Sequence, residues 1–347
     1  MRRLLLALAL LSTACSGEAP SEAPPEAEAE AAAPTAQAPS PAPESSVSLP
    51  DFDADWNYGD PAGTRSTFLQ YLRTYTTSHG TDPEPGPRAW RLELQTQIAR
   101  THGLEKDFER GHIVLNQVDV EVKALGDSSP VPLHRVRVRS LLERGRLFNS
   151  AGDKEKARPL FEQAWEEARK QQLDGLAVDA AHMVAIAAMG TDDELTWGRR
   201  ALALAESSEQ PAATKWQGSL LNNIGWTLHD QGDIDGALAL WEKQIAVRTA
   251  AGKEPALRIA RWTHARGLRS AKRHEEALAA LDALVKDYGE EATSDGFVSE
   301  ERCENLLALG RDAEAKPFCA KAAEQLKSTY VNDSEPERIA RLESLGS

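Results

Sequence analysis

The sequence predicts an all-α fold, a stack of helix hairpins rather than one closed core. Three observations predict it. Gly145, Phe148, Gly152, Ala157 and Phe161 return, at a fixed distance along the chain, as Gly225, Leu228, Gly232, Ala237 and Trp241. The order small, large, turn, small, aromatic describes one helix, a glycine turn and a second helix, a unit that buries its apolar face only against its neighbours. Helical periodicity then dominates from Asp60 to the end, without convincing strand alternation.

The first residues stand outside that fold. Arg2 and Arg3 precede an apolar run from Leu4 to Leu11, followed by Ser12-Thr13-Ala14 and Cys15. The run is too short to span a bilayer and reads as a secretory signal over residues 1–14. A cysteine directly after small residues resembles the bacterial lipobox, with Ser12 where an aliphatic residue is usual. That resemblance implies that Cys15 is lipidated and becomes the mature N-terminus. Ser16 after it, rather than Asp, implies the outer membrane, with the following domain in the periplasm. Plain secretion with cleavage near Ala14 is the alternative.

Residues 15–50 are rich in Ala, Pro, Glu and Ser and hold no aromatic side chain. Such a segment cannot bury enough apolar surface to offset its ordering entropy, so it is expected to be a disordered tether. At roughly 3.1 Å per residue it could reach up to ~100 Å. The net charge of −14 is partly a property of this region, because residues 16–55 carry nine acidic and no basic side chains. Residues 56–347 hold 45 acidic against 38 basic, a net of −7. That balance argues against nucleic acid as a partner. Any membrane attachment is expected through the N-terminal lipid alone.

Residues 51–86 are expected to form an N-terminal helical segment. Asp60-Pro61 is a helix start, with Asp at the N-cap and Pro in the first turn. Phe68, Leu69, Leu72 and Tyr75 then share a face, and a Gly/Pro-dense break runs from Ser78 to Pro87. Residues 87–347 hold the repeats. The clearest unit is 138–171, with Gly145, Phe148, Gly152, Ala157, Phe161 and Ala164. Next is 218–251, where Gln244 replaces the last small residue. A third, 258–291, keeps Ala265, Leu268, Ala277 and Leu281 but has no turn glycine. Weaker units lie at 92–125, near 178–208 and at 296–326. Ser334-Glu335-Pro336-Glu337 reads as a capping box for a last helix, on which Ile339, Leu342 and Leu345 cover the final pair.

This unit resembles the tetratricopeptide repeat, whose small residues let paired helices approach while large ones fill the seam. The stretch Trp56–Thr64 also resembles the opening of bacterial envelope proteins of that kind. The resemblance covers residues 56–347 and implies a right-handed superhelical solenoid whose first helices line a concave groove. It places Arg139, Arg146 and Asn149 of the first strong unit on that inner wall. Asn222, Trp226 and His229 follow in the second unit, and Trp262, Arg266 and Arg269 in the third. Arg forks bind carboxylates, Asn can clamp a peptide backbone and Trp offers a flat anchor. The same side chains could instead pair with Asp and Glu of neighbouring helices and fill seams.

No motif for catalysis or for a cofactor stands out. Asp51, Asp53 and Asp55 have the first spacings of a calcium loop. However, Trp56 stands where Gly is needed and Ala62 where a bidentate Glu is required, so a solvated acidic turn is expected. The histidines, His182, His264 and His274 among them, lack a second ligand at helical spacing, and no metal is expected. Cys303 and Cys319 fall on the two helices of the last unit, where they can face each other. They are read either as a disulfide or as two small buried apolar residues. The function these features imply is a non-catalytic scaffold or assembly factor of the cell envelope that binds a protein or peptide in its groove. A regulatory or accessory protein of an envelope enzyme is the alternative, and an end-to-end structural oligomer is a third reading.

Overall fold

The structure, a computed structural model, describes residues 49–79, 85–123, 129–252 and 255–347. The signal, Cys15 and nearly all of the tether lie outside the described residues. Among these there is no strand, and no helix is long and apolar enough to cross a membrane. The described chain divides after Asp153 into two units. Each is a stack of antiparallel helices, the class the periodicity predicts, but the 138–171 unit of the sequence is divided between them, its first helix in one and its second in the other.

The N-terminal unit holds α1 (Pro61–His79), α2 (Pro85–Leu104), α3 (Phe108–Val122) and α4 (Val131–Ser150). Asp60 opens α1 as expected, its carboxylate accepting from the Gly63 amide at 2.9 Å. The helix runs on through Ser78 to His79, so the break after it is shorter than the sequence implies. Asp107 caps α3 through the Arg110 amide. Helix α1 packs on α2, α2 on α3 and α4, and α3 on α4. Leu92, Val118, Leu133 and Val136 fill one part of the core. Leu147 fills another, seated where Gly103 and Gly111 lack side chains. Helix α4 stops at Gly152, whose φ of 89° lets the Asp153 amide return to the Phe148 carbonyl at 2.9 Å.

The C-terminal unit begins with α5 (Lys154–Lys170), α6 (Asp174–Ala187), α7 (Asp192–Ser207) and the single turn α8 (Pro211–Thr214). It continues with α9 (Gln217–Asp230), α10 (Ile234–Ala250), α11 (Pro255–Ser270), α12 (His274–Tyr288) and the turn α13 (Glu290–Thr293). The last elements are α14 (Gly296–Ala308), α15 (Asp312–Leu326), α16 (Val331–Ser334) and α17 (Pro336–Gly346). Hairpins α6/α7, α9/α10, α11/α12 and α14/α15 stack in order, and α17 covers α15.

The third repeat, which has no turn glycine, makes the same turn with Lys272 at φ 61°, and Arg273 donates to the Leu268 carbonyl at 2.9 Å. A side chain in that left-handed region costs about 1 kcal/mol, which the rest of the hairpin absorbs. Trp241 of α10 is fully buried between Gly225 of α9 and Gly267 of α11; a Cβ at either would meet its ring within 2.5 Å. The expected C-terminal capping box is not formed. Ser334 donates back to the Tyr330 carbonyl within a turn of its own, and α17 starts at Pro336 without a side-chain cap. Ile339 and Leu342 are nonetheless buried, with Leu345 packed beside them, so the helix covers the last pair.

Candidate functional site

In the N-terminal unit the inward face of α2 and α4 is a charged surface. Arg135 and Arg139, one turn apart on α4, both place Nε near Glu93 of α2, at 2.9 and 3.0 Å. Glu143 is nearly fully buried between Arg146 at 2.7 Å and Arg100 of α2 at 3.5 Å. The remaining carboxylate comes from outside the helices. Asp53 meets Arg139 in a two-pronged pair, Nη2 to Oδ2 at 2.6 Å and Nη1 to Oδ1 at 3.2 Å. Burial disfavours the Arg139 cation, but Asp53 and Glu93 outweigh it and hold the guanidinium above even its usual basicity. The acidic turn is therefore not simply solvated: Asp53 serves Arg139, and Asp55 accepts from the Tyr71 hydroxyl at 2.6 Å. Asn149, at the end of the same helix, keeps a buried Oδ1 without a hydrogen-bond partner.

In the C-terminal unit, α9, α11, α14 and α17 bring the remaining candidates to one row. The Arg266 guanidinium lies 5.7 Å from the ring centre of Trp226 and 5.9 Å from that of Trp262. Trp262 continues edge-on to Phe297 at 5.8 Å and donates from Nε1 to the Phe297 carbonyl. Arg338 lies 5.7 Å from the Phe297 ring. His229 touches Trp226 and bonds through Nε2 to the Ser270 hydroxyl at 2.8 Å. These rings are half-buried.

Arg266 and Arg269 are not bare cations on this wall. Both hold Glu301 of α14, Arg266 Nη1 at 2.8 Å and Arg269 Nε at 2.6 Å, and the Glu301 side chain is fully buried. Burial disfavours charge on Arg269, and Glu301 more than restores it. Glu300 and Glu304 pair in the same way with Arg338 and Arg341 of α17. Pairing along the stack was one of the two readings of the arginines, and for this pair it is the one realised. Asn222 is 2 % exposed and donates to Asn223, so it is a corrected expectation: its side chain is interior, not on the wall.

Cys303 and Cys319 are bonded across the α14/α15 hairpin with Cα atoms 5.0 Å apart. The bridge ties down the helix that carries Glu300, Glu301 and Glu304. Among the described residues no three His, Cys, Asp or Glu side chains form a metal-ligating group. His264 faces Glu242, and His274 Nδ1 lies 3.0 Å from Asn305. Sequence reading passed over Glu93, Arg135, Arg100 and Glu301. Glu93 and Glu301 are carboxylates at buried positions of amphipathic helices, and only their burial marks them.

Residues 218–251 match the tetratricopeptide repeat family. No curated protein matches the chain in sequence. Among solved structures the apo form of RapI aligns with a TM-score of 0.63 at 10 % identity, over 82 % of this chain and 78 % of that one, a likeness of fold alone. BtubC from P. vanneervenii aligns at 0.49 and 16 % identity, over 67 % and 91 %. The TPR-like repeats of a Podosopora anserina putative kinesin light chain align at 0.46 and 18 %, over 58 % and 98 %. The hairpin of α9 and α10, with Trp241 locked between two glycines, is thus a tetratricopeptide repeat set in a stack of like hairpins.

Proposed function

We propose that this protein is a non-catalytic scaffold of the bacterial cell envelope that holds a protein or peptide partner against its first-helix faces. In this reading it is anchored through lipidated Cys15 at the outer membrane, with the repeats in the periplasm and no nucleic-acid partner. One observation carries the reading: the continuous row Trp226, Arg266, Trp262, Phe297 and Arg338 across three successive first helices and the capping helix. Half-buried aromatic rings alternating with paired guanidiniums make a flat, largely apolar surface with polar edges. Trp, Tyr and Arg dominate the binding energy of protein interfaces because they bury large area with few rotamers and keep a polar handle. The arginines are already neutralised by Glu300 and Glu301, so the rings and not the charges are the anchors. A partner is held there by stacking on the half-buried rings.

The test is photo-crosslinking in the bacterial envelope from a reactive residue placed at 226, at 262, and at the exposed Lys286 of α12 as control. A defined adduct from 226 and 262, absent from 286, is expected. Equal adducts from all three positions, or none, would refute the groove. Cys15→Ala is expected to abolish labelled-palmitate incorporation and to release the protein from the membrane fraction. Retention of both label and membrane association would refute the lipid anchor.

A further inference from the structure

The N-terminal unit already has something seated on its inner face. Residues 50–58 precede the first helix and belong to no repeat, yet they lie against α1, α2 and α4. Phe52 is 6 % exposed, its ring 6.1 Å from Phe68 of α1 and 5.9 Å from Trp90 of α2, with Leu94 and Ile98 in the same cluster. Asp53, next in the chain, takes the two-pronged bond from Arg139. Trp56 and Tyr58 stack on each other at 4.8 Å, and the Arg100 guanidinium lies within 5.6 Å of both rings.

The backbone of this segment is held lightly. Its turns are internal, Ala54 to Asp51 and Asp55 to Phe52. Its main chain meets the helices through the Pro50 carbonyl, which accepts from Trp90 Nε1, and through Asn57 at the Thr64 hydroxyl. Removing the segment would break no helix. It would open an aromatic slot beside Arg135 and Arg139, which would then share Glu93. A slot for a ring next to a fork for a carboxylate defines a ligand: an aromatic residue followed directly by an acidic one.

We infer that residues 50–58 are an exchangeable, self-supplied ligand on the α2/α4 face, and that a partner peptide carrying an aromatic–acidic pair takes their place. The inference rests on the groove reading only for the face it uses. The crosslinks from 226 and 262 report the other unit, so loss of those and failure here are separate results.

The probe is a labelled synthetic peptide of residues 49–59, titrated against the full chain. An occupied site binds it with its affinity reduced by the fraction of open molecules, so the Phe52→Ala/Asp53→Ala chain should bind at least about tenfold tighter than wild type. Asp53→Asn, which keeps Phe52 in its slot, should fall between them. Adding Arg139→Glu should abolish binding, as should a peptide with Ala and Asn at its aromatic and acidic positions. In the wild type, the amides of Ala54 and Asp55 should exchange with deuterium far faster than those of Ala99 and Leu142. Equal protection would overturn the inference whether or not the double variant folds, because the segment would then be fixed core. Fast exchange without peptide binding by either variant would overturn it as well. A wild-type dimer formed by trading the segment between copies would overturn the assignment to a partner.

Discussion

Arg139 and the pair Arg266/Arg269 occupy matching first-helix faces in the two units, but their carboxylates come from different places. In the C-terminal unit the partner is Glu301, fully buried one repeat further along the stack. In the N-terminal unit Glu93 is shared with Arg135, and the two-pronged partner is Asp53, 45 % exposed and outside the repeats. A carboxylate on the next repeat is fixed once the stack forms, so that pair is part of the architecture. A carboxylate on a light, non-repeating segment can leave while the stack stays. The same residue type on first helices thus serves cohesion in one unit and, as we infer, recognition in the other.

The sharpest way to break that contrast is to delete each carboxylate. Glu301→Gln leaves two guanidiniums facing a buried amide and should cost about 3 kcal/mol, the usual penalty for orphaning a buried charge. Asp53→Asn removes a half-exposed partner and should cost about 1 kcal/mol or less. Urea denaturation of the two variants reads the difference directly. Equal losses would mean that Asp53 is as structural as Glu301.

Seam packing gives a second, smaller contrast. In each unit one large side chain fills the space left by two glycines, Leu147 on Gly103 and Gly111, and Trp241 on Gly225 and Gly267. A Cβ at Gly225 would stand 2.3 Å from the Trp241 indole nitrogen, and the flat ring has no room to turn. At Gly103 the nearest atom is the end of a leucine, 2.7 Å away, which can change rotamer. Gly225→Ala should therefore cost about 2 kcal/mol by overpacking, and Gly103→Ala well under that. A reversed order in thermal unfolding would show that the N-terminal seam is the tighter one.

How much of this was legible follows from what repeats and what does not. Gly145 and Phe161 recur at one interval as Gly225 and Trp241, and the fold class follows from that recurrence; at Gly225 and Trp241 the cause is the close approach of two helices. The 258–291 unit was legible from Ala265, Leu268, Ala277 and Leu281 without a turn glycine, but that Lys272 would take the left-handed turn was not. The missing capping box has the opposite cause. Four residues fit the pattern locally, but the chain spent Ser334 on a turn with Tyr330 instead. The arginine positions were legible from register, while their partners were not. Arg139 meets Asp53 across 86 residues, and periodicity carries no information about a contact made by a segment that does not repeat.

The smallest contrast concerns pH, where the sign is shared by the two units and only the neighbouring charges differ. His102 and His112 of the N-terminal unit and His264 of the C-terminal unit are all held below the usual histidine range, in each case first by burial. At His112 the neighbouring Arg144, 3.3 Å away, adds to the depression by repelling an imidazolium. At His264 the facing Glu242 works against it. A folded-state value below the unfolded one, about 6.5, means that the unfolded chain binds more protons as the pH drops. Stability is therefore complete above about pH 6.5 and is lost as the pH falls through the folded values. Glu121 and Glu304 have values lowered from 4.5 by their arginines and act only in more acid solution. The midpoint of urea unfolding should then fall between pH 7.5 and 5.5, and His112→Gln should flatten that fall more than His264→Gln. A larger effect at His264 would mean that Glu242 is too exposed to offset burial, and that the C-terminal unit is the more acid-sensitive of the two.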